Sequence, residues 1–293
     1  MTDQHETQPQ ASAGAVHWQT FASHWSSLGP PLRPVDTDIQ LIDQLLKEQL
    51  LKGTAVPRSS PADILVLGVT PEYYHFFSAQ GDRVRALDKS PQMIASVWPG
   101  SREDAVEGSW LAMPYADNSF DLILCDGGLQ LLPFPKGLGQ LQQELLRCLR
   151  PGGRFCVRLF ARPAEPLSIR SVLDQVVDGR LNNLHALKIL AGMGLQETTE
   201  QGVVLDAIWH SLQQRFSDWG QLAGLLAMDA REVAMLDAYR GNSAVYHFLS
   251  EAEVIDVFSQ QKDGFGLEHS VTRYPDYRYG EFCPTLLFEK QAG

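Results

Sequence analysis

The stretch ILVLGVTPEYY, residues Ile64–Tyr74, is the part of the sequence that decides the fold. An apolar run ends at Gly68, and a helix start follows, because Thr70 suits the cap position and Pro71 the first helical position. Nucleotide-binding units open with such a strand, turn and helix, but their loops carry two or three glycines. This loop has Gly68 alone, so it is either a variant cofactor loop or an ordinary turn.

The sequence on both sides of this stretch alternates apolar strand patterns with amphipathic helix patterns. The further predicted strands are RVRALD, DAVEG, SFDLILCDGG and RFCVRLFA, and the helices between them are PEYYHFFSAQG, SPQMIASVW and LGQLQQELLRCLRPGG. This alternation, with strands that are apolar on both faces, predicts a parallel sheet covered by helices on both sides. The predicted fold is therefore α/β, three-layered and doubly wound.

The rest of the chain departs from this alternation. Helical patterns fill the region from about Arg162 to Gly241, and two strand-like runs, GLEHSVTRY and CPTLLFEK, end the chain. One helical stripe comprises Leu205, Ile208, Leu212, Phe216 and Trp219. Spacing favours core packing for that stripe. A pocket wall and a dimer face remain alternatives, so a homodimer stays open.

Composition narrows the class of protein. The chain has 293 residues, 44% hydrophobic and 20% charged, which is globular, and a formal net charge of −11, which disfavours binding to nucleic acid. The four cysteines form no Cys-x-x-Cys pair, and the polar start MTDQHETQPQ does not resemble a signal peptide. No apolar run approaches the ~20 residues that span a membrane. These features predict a cytoplasmic protein without metal or membrane contact.

Polar residues and glycines follow each predicted strand, at the edge where doubly wound sheets bind ligands. Asp88 ends the second strand, about twenty residues after Gly68, which is the usual place for an acid that binds ribose hydroxyls. Ser109-Trp110 follows the third strand, and Asp126 with two glycines follows the fourth. Taken singly, each residue also fits a turn or a helix start.

The run from Ile64 to Phe160 resembles the class I S-adenosylmethionine-dependent methyltransferases. The matching segments are RVRALDKSPQMI, MPYADNSFDLILCDGGLQLL and ELLRCLRPGGRFCV, with WQTFASHW as an N-terminal pattern. The family's first motif has an acid where this chain has Val66, and glycines where it has Thr70 and Glu72. An Asp often found near the adenine is Ser109 here.

The resemblance implies a seven-stranded, mostly parallel, Rossmann-like methyltransferase fold. The implied organisation is a disordered start at 1–15, a helical lid at 16–56, a cofactor-binding core at 57–163, a helical cap insertion at 164–244 and a C-terminal helix with strands at 245–293. It implies S-adenosylmethionine as cofactor. The implied cofactor-binding residues are Trp18, Trp25, Gly68, Thr70, Glu72, Asp88, Lys89, Met93, Ser109, Trp110, Cys125 and Asp126.

The implied reaction is methyl transfer to a small-molecule acceptor enclosed by the cap. Asp126 is the candidate proton acceptor, and the candidate acceptor-binding residues are Gln130, His185, Tyr246 and His247. For the two histidines, core packing is the simpler interpretation. A nicotinamide dehydrogenase is disfavoured, because a pyrophosphate needs a glycine loop at a helix N-terminus and Pro71 removes an N–H there. A catalytically degenerate binding or assembly partner is the remaining alternative.

Overall fold

The computed structural model describes Trp25 and residues 28–51, 61–261 and 266–291. The predicted disordered start and the proposed cofactor residue Trp18 lie outside the described residues. The predicted lid at 16–56 is described only in part, and its main element is the helix α1, Asp36–Leu51.

Seven strands form one sheet in the order β3-β2-β1-β4-β5-β9-β8. Their bounds are β1 Asp63–Leu67, β2 Arg83–Asp88, β3 Ala105–Glu107, β4 Phe120–Asp126, β5 Leu149–Arg158, β8 Leu267–Arg273 and β9 Thr285–Lys290. The pairs among β1 to β5 are parallel, whereas β9 is antiparallel to both of its neighbours. The predicted seven-stranded, mostly parallel sheet is confirmed, and the two strand-like runs at the end of the chain pair with each other in antiparallel orientation.

Helices cover both faces of this sheet. They are α2 Pro71–Ala79, α3 Pro91–Val97, α4 Lys136–Cys148 and α10 Glu251–Ser259, in addition to α1. Alternate residues of β1 face opposite layers: Ile64 packs in one core with α1, α2 and α3, and Leu65 packs in the other with α4 and α10. The strands are apolar on both faces because both faces are covered.

The region between β5 and α10 is largely helical. It contains α5 Ile169–Val177, α6 Leu184–Leu195, α7 Leu205–Arg215, α8 Trp219–Leu226, α9 Ala230–Val233 and a 3₁₀ helix, Ala234–Tyr239. Two short strands, β6 Val203–Val204 and β7 Val245–Tyr246, pair with each other. The predicted stripe forms the centre of a separate hydrophobic core, in which Phe216 is fully buried and Trp219 is partly buried.

The sequence predicts a capping box at two helix starts, from Asp229 with Glu232 and from Ser250 with Glu253, and one of them forms. Ser250 and Glu253 exchange both hydrogen bonds at the start of α10. At the start of α9, Asp229 instead accepts from Arg231 N and pairs with the Arg231 guanidinium. That second expectation is wrong, because a neighbouring arginine competes for the aspartate.

Candidate functional site

The carboxyl ends of the parallel strands meet where the chain reverses direction across the sheet. The chain runs from β1 outward to β3 and then returns to β4 on the other side of β1, so β1 and β4 flank the switch point. A cavity of about 280 Å³ opens there. Its wall includes Gly68, Thr70, Asp88, Lys89, Met93, Ser109, Trp110, Asp126 and Gln130. Most of the residues predicted from the strand ends are thus brought together.

The loop after β1 is shaped by its single glycine. Gly68 has φ +97°, a conformation that favours glycine, and its N–H donates to Leu87 O at 2.8 Å. The next loop residue on the cavity wall, Val69, was not singled out from the sequence. Thr70 precedes α2, yet its side chain makes no capping hydrogen bond, and the residue is buried on the cavity wall. The loop therefore leaves a hydroxyl at the cavity that the helix does not use.

Asp88 is the half-buried acid at the end of β2. Its Oδ1 accepts from Ser90 N at 2.7 Å, and Ser90 in turn caps α3. Burial raises the pKa of Asp88 to about 6, and the Ser90 hydrogen bond and the nearby Lys89 only partly oppose that rise. A carboxylate that is partly desolvated and still has acceptor capacity suits a ligand that brings hydroxyl donors.

Two aromatic rings rest on the glycine pair that follows β4. A Cβ at Gly127 would lie 2.6 Å from the Phe160 ring, and a Cβ at Gly128 would lie 2.6 Å from the Trp110 ring. Trp110 is also fixed by its Nε1, which donates to Leu87 O at 2.7 Å. The glycines are thus needed for close approach, and they place two flat apolar surfaces on the cavity wall.

Asp126 is held by an arginine that the sequence analysis did not select. Arg158, at the end of β5, is fully buried, pairs in register with Asp126 across the sheet and donates from Nη2 to Asp126 Oδ2 at 3.1 Å. Its Nε donates to Asp126 Oδ1, which also accepts from Tyr73 OH at 3.4 Å. Both carboxylate oxygens are occupied, which weakens the case for Asp126 as a proton acceptor, and that role stays a prediction.

The arginine also ties the N-terminal segment to the sheet. Arg158 Nη1 donates to Pro31 O at 2.7 Å, and Tyr277 OH, which lies 3.3 Å from the same nitrogen, donates to Asp38 Oδ1 at 3.1 Å. Burial raises the pKa of Asp38, and Arg158 opposes that rise. The signal in the sequence was the second arginine of RFCVRLF, which follows three apolar residues at the end of the strand.

Glu72 does not line the cavity. It forms an ion pair with Arg33 of the N-terminal segment. Arg33 also lies 5.3 Å from the centre of the Trp25 ring and donates to Trp25 O at 3.3 Å. The implied contact of Glu72 with the cofactor is not supported by this placement. The acid instead links α2 to the segment that brings Trp25 to the cavity wall.

The other predicted residues divide between the cavity and the core. Gln130 and Tyr246 line the cavity, together with Tyr239. His185 is buried in α6, and His247 is buried with its Nδ1 2.8 Å from Thr199 O. Neither histidine lines the cavity, and neither does Cys125, which is fully buried within the sheet. Core packing explains these three positions.

The cavity also includes residues that sequence reasoning did not single out. Apart from those already described, they are Leu32, Leu67, Gly108, Leu111, Leu131, Leu132 and Pro133. Most are apolar residues without a motif of their own. They border the segments that were predicted, so proximity in the chain was the only available signal.

Part of the chain is similar to known methyltransferases. A family model described as "Methyltransferase domain" matches residues 67–157. The Escherichia coli protein named "Uncharacterized protein YafE" is 28% identical over 155 residues, which are 53% of this chain and 68% of that protein. The demethylmenaquinone methyltransferase of Renibacterium salmoninarum is 38% identical over 114 residues, 37% of this chain but only 44% of that enzyme.

One solved structure matches nearly the whole chain. It comes from Rhodobacter sphaeroides, is provisionally named as a Zn-dependent alcohol dehydrogenase, and has a TM-score of 0.58 at 14% identity over 97% of this chain and 99% of its own. A likeness at this identity is one of fold alone. The matched model covers about a third of the chain, residues 67–157, and this segment is similar to the methyltransferase domains of the class I S-adenosylmethionine-dependent enzymes. The sheet order around it is that of the Rossmann-like methyltransferase fold.

Two searches of the described residues were negative. Among them, no group of three or more His, Cys, Asp and Glu side chains could hold a metal ion. No helix in the described part of the chain is long and apolar enough to cross a membrane. The four cysteines are free and buried.

Proposed function

We propose that this chain transfers the methyl group of S-adenosylmethionine to a small organic acceptor. The observation that carries the proposal is a single cavity lined both by residues at the ends of the strands and by residues of the largely helical segment after β5. The sheet edge contributes Gly68, Asp88 and Trp110, and the segment after β5 contributes Tyr239 and Tyr246. A cofactor held at the sheet edge and an acceptor beside the helical region would therefore meet within the same cavity.

The residues at the sheet edge fit this cofactor. Asp88 would accept hydrogen bonds from the ribose hydroxyls, and Met93 with Trp110 would flank the adenine. Thr70 offers a hydroxyl that α2 leaves unused. The N–H that a pyrophosphate would need at the helix start is missing at Pro71, which agrees with a cofactor that has no phosphate.

The proposed work of the chain is binding and positioning. The cofactor, when bound, supplies an electrophilic methyl group on a sulfonium. Trp110 and Phe160 exclude water from the junction of the two walls, and Gln130, held by its Nε2 contact to Gly127 O, fixes the acceptor end. Orientation in a water-poor cavity is the main source of acceleration for an in-line displacement.

The part of the cavity wall that includes Tyr239 and Tyr246 favours an acceptor that is largely apolar and flat. Leu131, Leu132 and Phe160 line the same cavity as the two tyrosines. Aromatic surfaces of this kind stack on ring systems, and the tyrosine hydroxyls can orient a polar substituent. The demethylmenaquinone methyltransferase among the relatives supports a flat, largely apolar acceptor, because a quinone ring has these properties.

Calorimetric titration with S-adenosylmethionine and S-adenosylhomocysteine tests the cofactor half, with Asp88→Ala as the paired variant. We expect micromolar affinity, about 8 kcal/mol, and its loss in the variant. Release of S-adenosylhomocysteine in the presence of candidate aromatic acceptors then tests transfer. Absence of heat with both ligands would refute the proposal.

A second candidate is a protein that binds the cofactor without methyl transfer. The observation favouring it is the Asp126–Arg158 ion pair, which occupies the acid closest to a catalytic position. Tight binding of S-adenosylhomocysteine, combined with no turnover across a broad set of phenols, amines and thiols, would favour this alternative.

A further inference from the structure

Lys188 is a buried charged residue that the proposed function does not use. It lies on α6 among apolar neighbours such as Leu187 and Ile189, and its side chain is 4% exposed. Within the described residues, its ammonium has no hydrogen bond and no ion pair. Its one polar contact is with the ring of Tyr239, whose centre lies 5.5 Å from Nζ.

A second buried lysine, Lys290, has the hydrogen bonds that are typical of a structural role. Lys290, 8% exposed at the end of β9, donates from Nζ to Leu149 O at 2.7 Å and to Asn118 Oδ1 at 3.0 Å. In the part of the chain that the structure describes, Lys188 has no such anchors, although an unpaired buried charge is costly to fold. A lysine in that position is a candidate for a functional role.

The position of Lys188 relative to the cavity indicates that its role concerns the acceptor. The titratable group whose ring contacts Lys188 is Tyr239, and Tyr239 lies on the cavity wall. Burial lowers the pKa of Lys188 to about 8, so the ammonium form still predominates at neutral pH. The cavity is thus polarised, with Asp88 at the cofactor end and a cation behind the acceptor end.

We propose that the acceptor carries an acidic aromatic hydroxyl, which binds at the Tyr239 end of the cavity as a phenolate with Lys188 as its counter-ion. This inference rests on the proposed methyl transfer and names its substrate class. The aromatic residues on the cavity wall favour an aromatic ring in the acceptor, and the Lys188 ammonium favours the ionised form of its hydroxyl. Direct contact is not required, because a charge in a water-poor interior acts over several ångströms. The hydroxyl proton is released to solvent on binding.

The test uses the full chain saturated with S-adenosylhomocysteine and three probes. These are 4-nitrophenol, whose phenolate absorbs visible light, the neutral 4-nitroanisole, and 4-nitrobenzoate. Affinities are measured for the wild type, for Lys188→Met and for the control Lys290→Met. We expect the wild type to bind 4-nitrophenolate at least about tenfold more tightly than 4-nitroanisole, a difference of about 1.4 kcal/mol, and to lower the pH at which the bound probe ionises.

Lys188→Met should abolish this preference while its melting temperature stays the same or rises, because an unpaired buried charge is removed. Lys290→Met should keep the preference and lose stability, because Leu149 O loses its donor. An unchanged preference in Lys188→Met, no binding of 4-nitrophenol by the wild type, or an equal preference for 4-nitrobenzoate would overturn the inference. If S-adenosylhomocysteine itself gives no heat, the proposed function has failed instead.

Discussion

The two walls of the cavity are built in different ways. At the sheet edge, Gly68, Asp88 and Trp110 each follow a strand directly, so the order of the chain already groups them. On the opposite wall, Tyr239 ends a 3₁₀ helix and Tyr246 lies in a two-residue strand. The sheet edge is thus encoded by local motifs, whereas the helical wall depends on how several short helices pack.

The two walls also differ in how they handle charge. The sheet edge pairs its deepest acid, Asp126, with Arg158 and ties that pair to the N-terminal segment. The helical wall leaves Lys188 without such a partner in the described residues. A paired buried charge holds its partner in a fixed geometry, whereas an unpaired buried charge creates an electrostatic potential that attracts a ligand of opposite charge.

The largest effect is expected from breaking the Asp126–Arg158 pair. Arg158→Met leaves Asp126 buried without its partner, and we expect a loss of about 3–5 kcal/mol in the free energy of unfolding. Denaturation with urea measures it. Arg150→Met is the matched control, because its pairs with Asp63 and Asp121 are partly exposed and should contribute about 1 kcal/mol or less.

A double variant sharpens this prediction. Combining Arg158→Met with Asp126→Leu removes both charges and should recover most of the lost stability, because no uncompensated ion remains. If the double variant is as unstable as the single one, the arginine contributes through packing and through Pro31 rather than through charge pairing.

The next effect concerns Asp88 at the sheet edge. Asp88→Asn keeps an acceptor for Ser90 N but loses the charge, and we expect cofactor affinity to fall about 10- to 100-fold. The folded-state pKa of Asp88, about 6, lies above the ordinary value for an aspartate, so the charged carboxylate destabilises the fold at pH values above 6. Protonation of Asp88 removes this destabilisation as the pH falls below about 6. The variant should therefore be more stable at neutral pH, by at most about 3 kcal/mol. Calorimetry and thermal melts at pH 5 and 8 measure both effects.

A smaller effect is expected at the link between α2 and the N-terminal segment. Arg33→Met and Glu72→Gln should weaken cofactor binding by similar, several-fold factors, about 1 kcal/mol, because both release the segment that carries Trp25. If Glu72→Gln is far more damaging than Arg33→Met, Glu72 contacts the cofactor itself, as the sequence suggested. Calorimetric titrations of the two variants decide between these roles.

The smallest effect is expected at Thr70. A capping threonine replaced by alanine costs about 0.5–2 kcal/mol of stability, but Thr70 makes no capping bond. Thr70→Ala should leave the melting temperature unchanged and lower cofactor affinity only about two- to fivefold, as for one neutral hydrogen bond. Ser90→Ala, which removes a real cap from α3, is the control that should lower stability.

Much of the fold and part of the site were predictable. The strand pattern around ILVLG and SFDLILC predicted the parallel sheet, and the spacing of Gly68 and Asp88 predicted one side of the cavity. Glu72 and the two histidines were not brought to it, because their partners, Arg33 for Glu72 and Thr199 for His247, come from distant segments. Arg158 was missed because its role appears only when β4 and β5 are paired in register.

The sequence by itself determined the order of strands and helices, the glycines and acids after each strand, and the resemblance of residues 64–160 to a methyltransferase family. These features are local, since periodicity and turn chemistry act over a few residues. Tertiary structure alone decided that Arg158 neutralises Asp126, that Glu72 binds Arg33, and that Lys188 lies beside Tyr239. Those pairings join residues 32 to 51 positions apart, and only the packing of helices and strands brings such residues together.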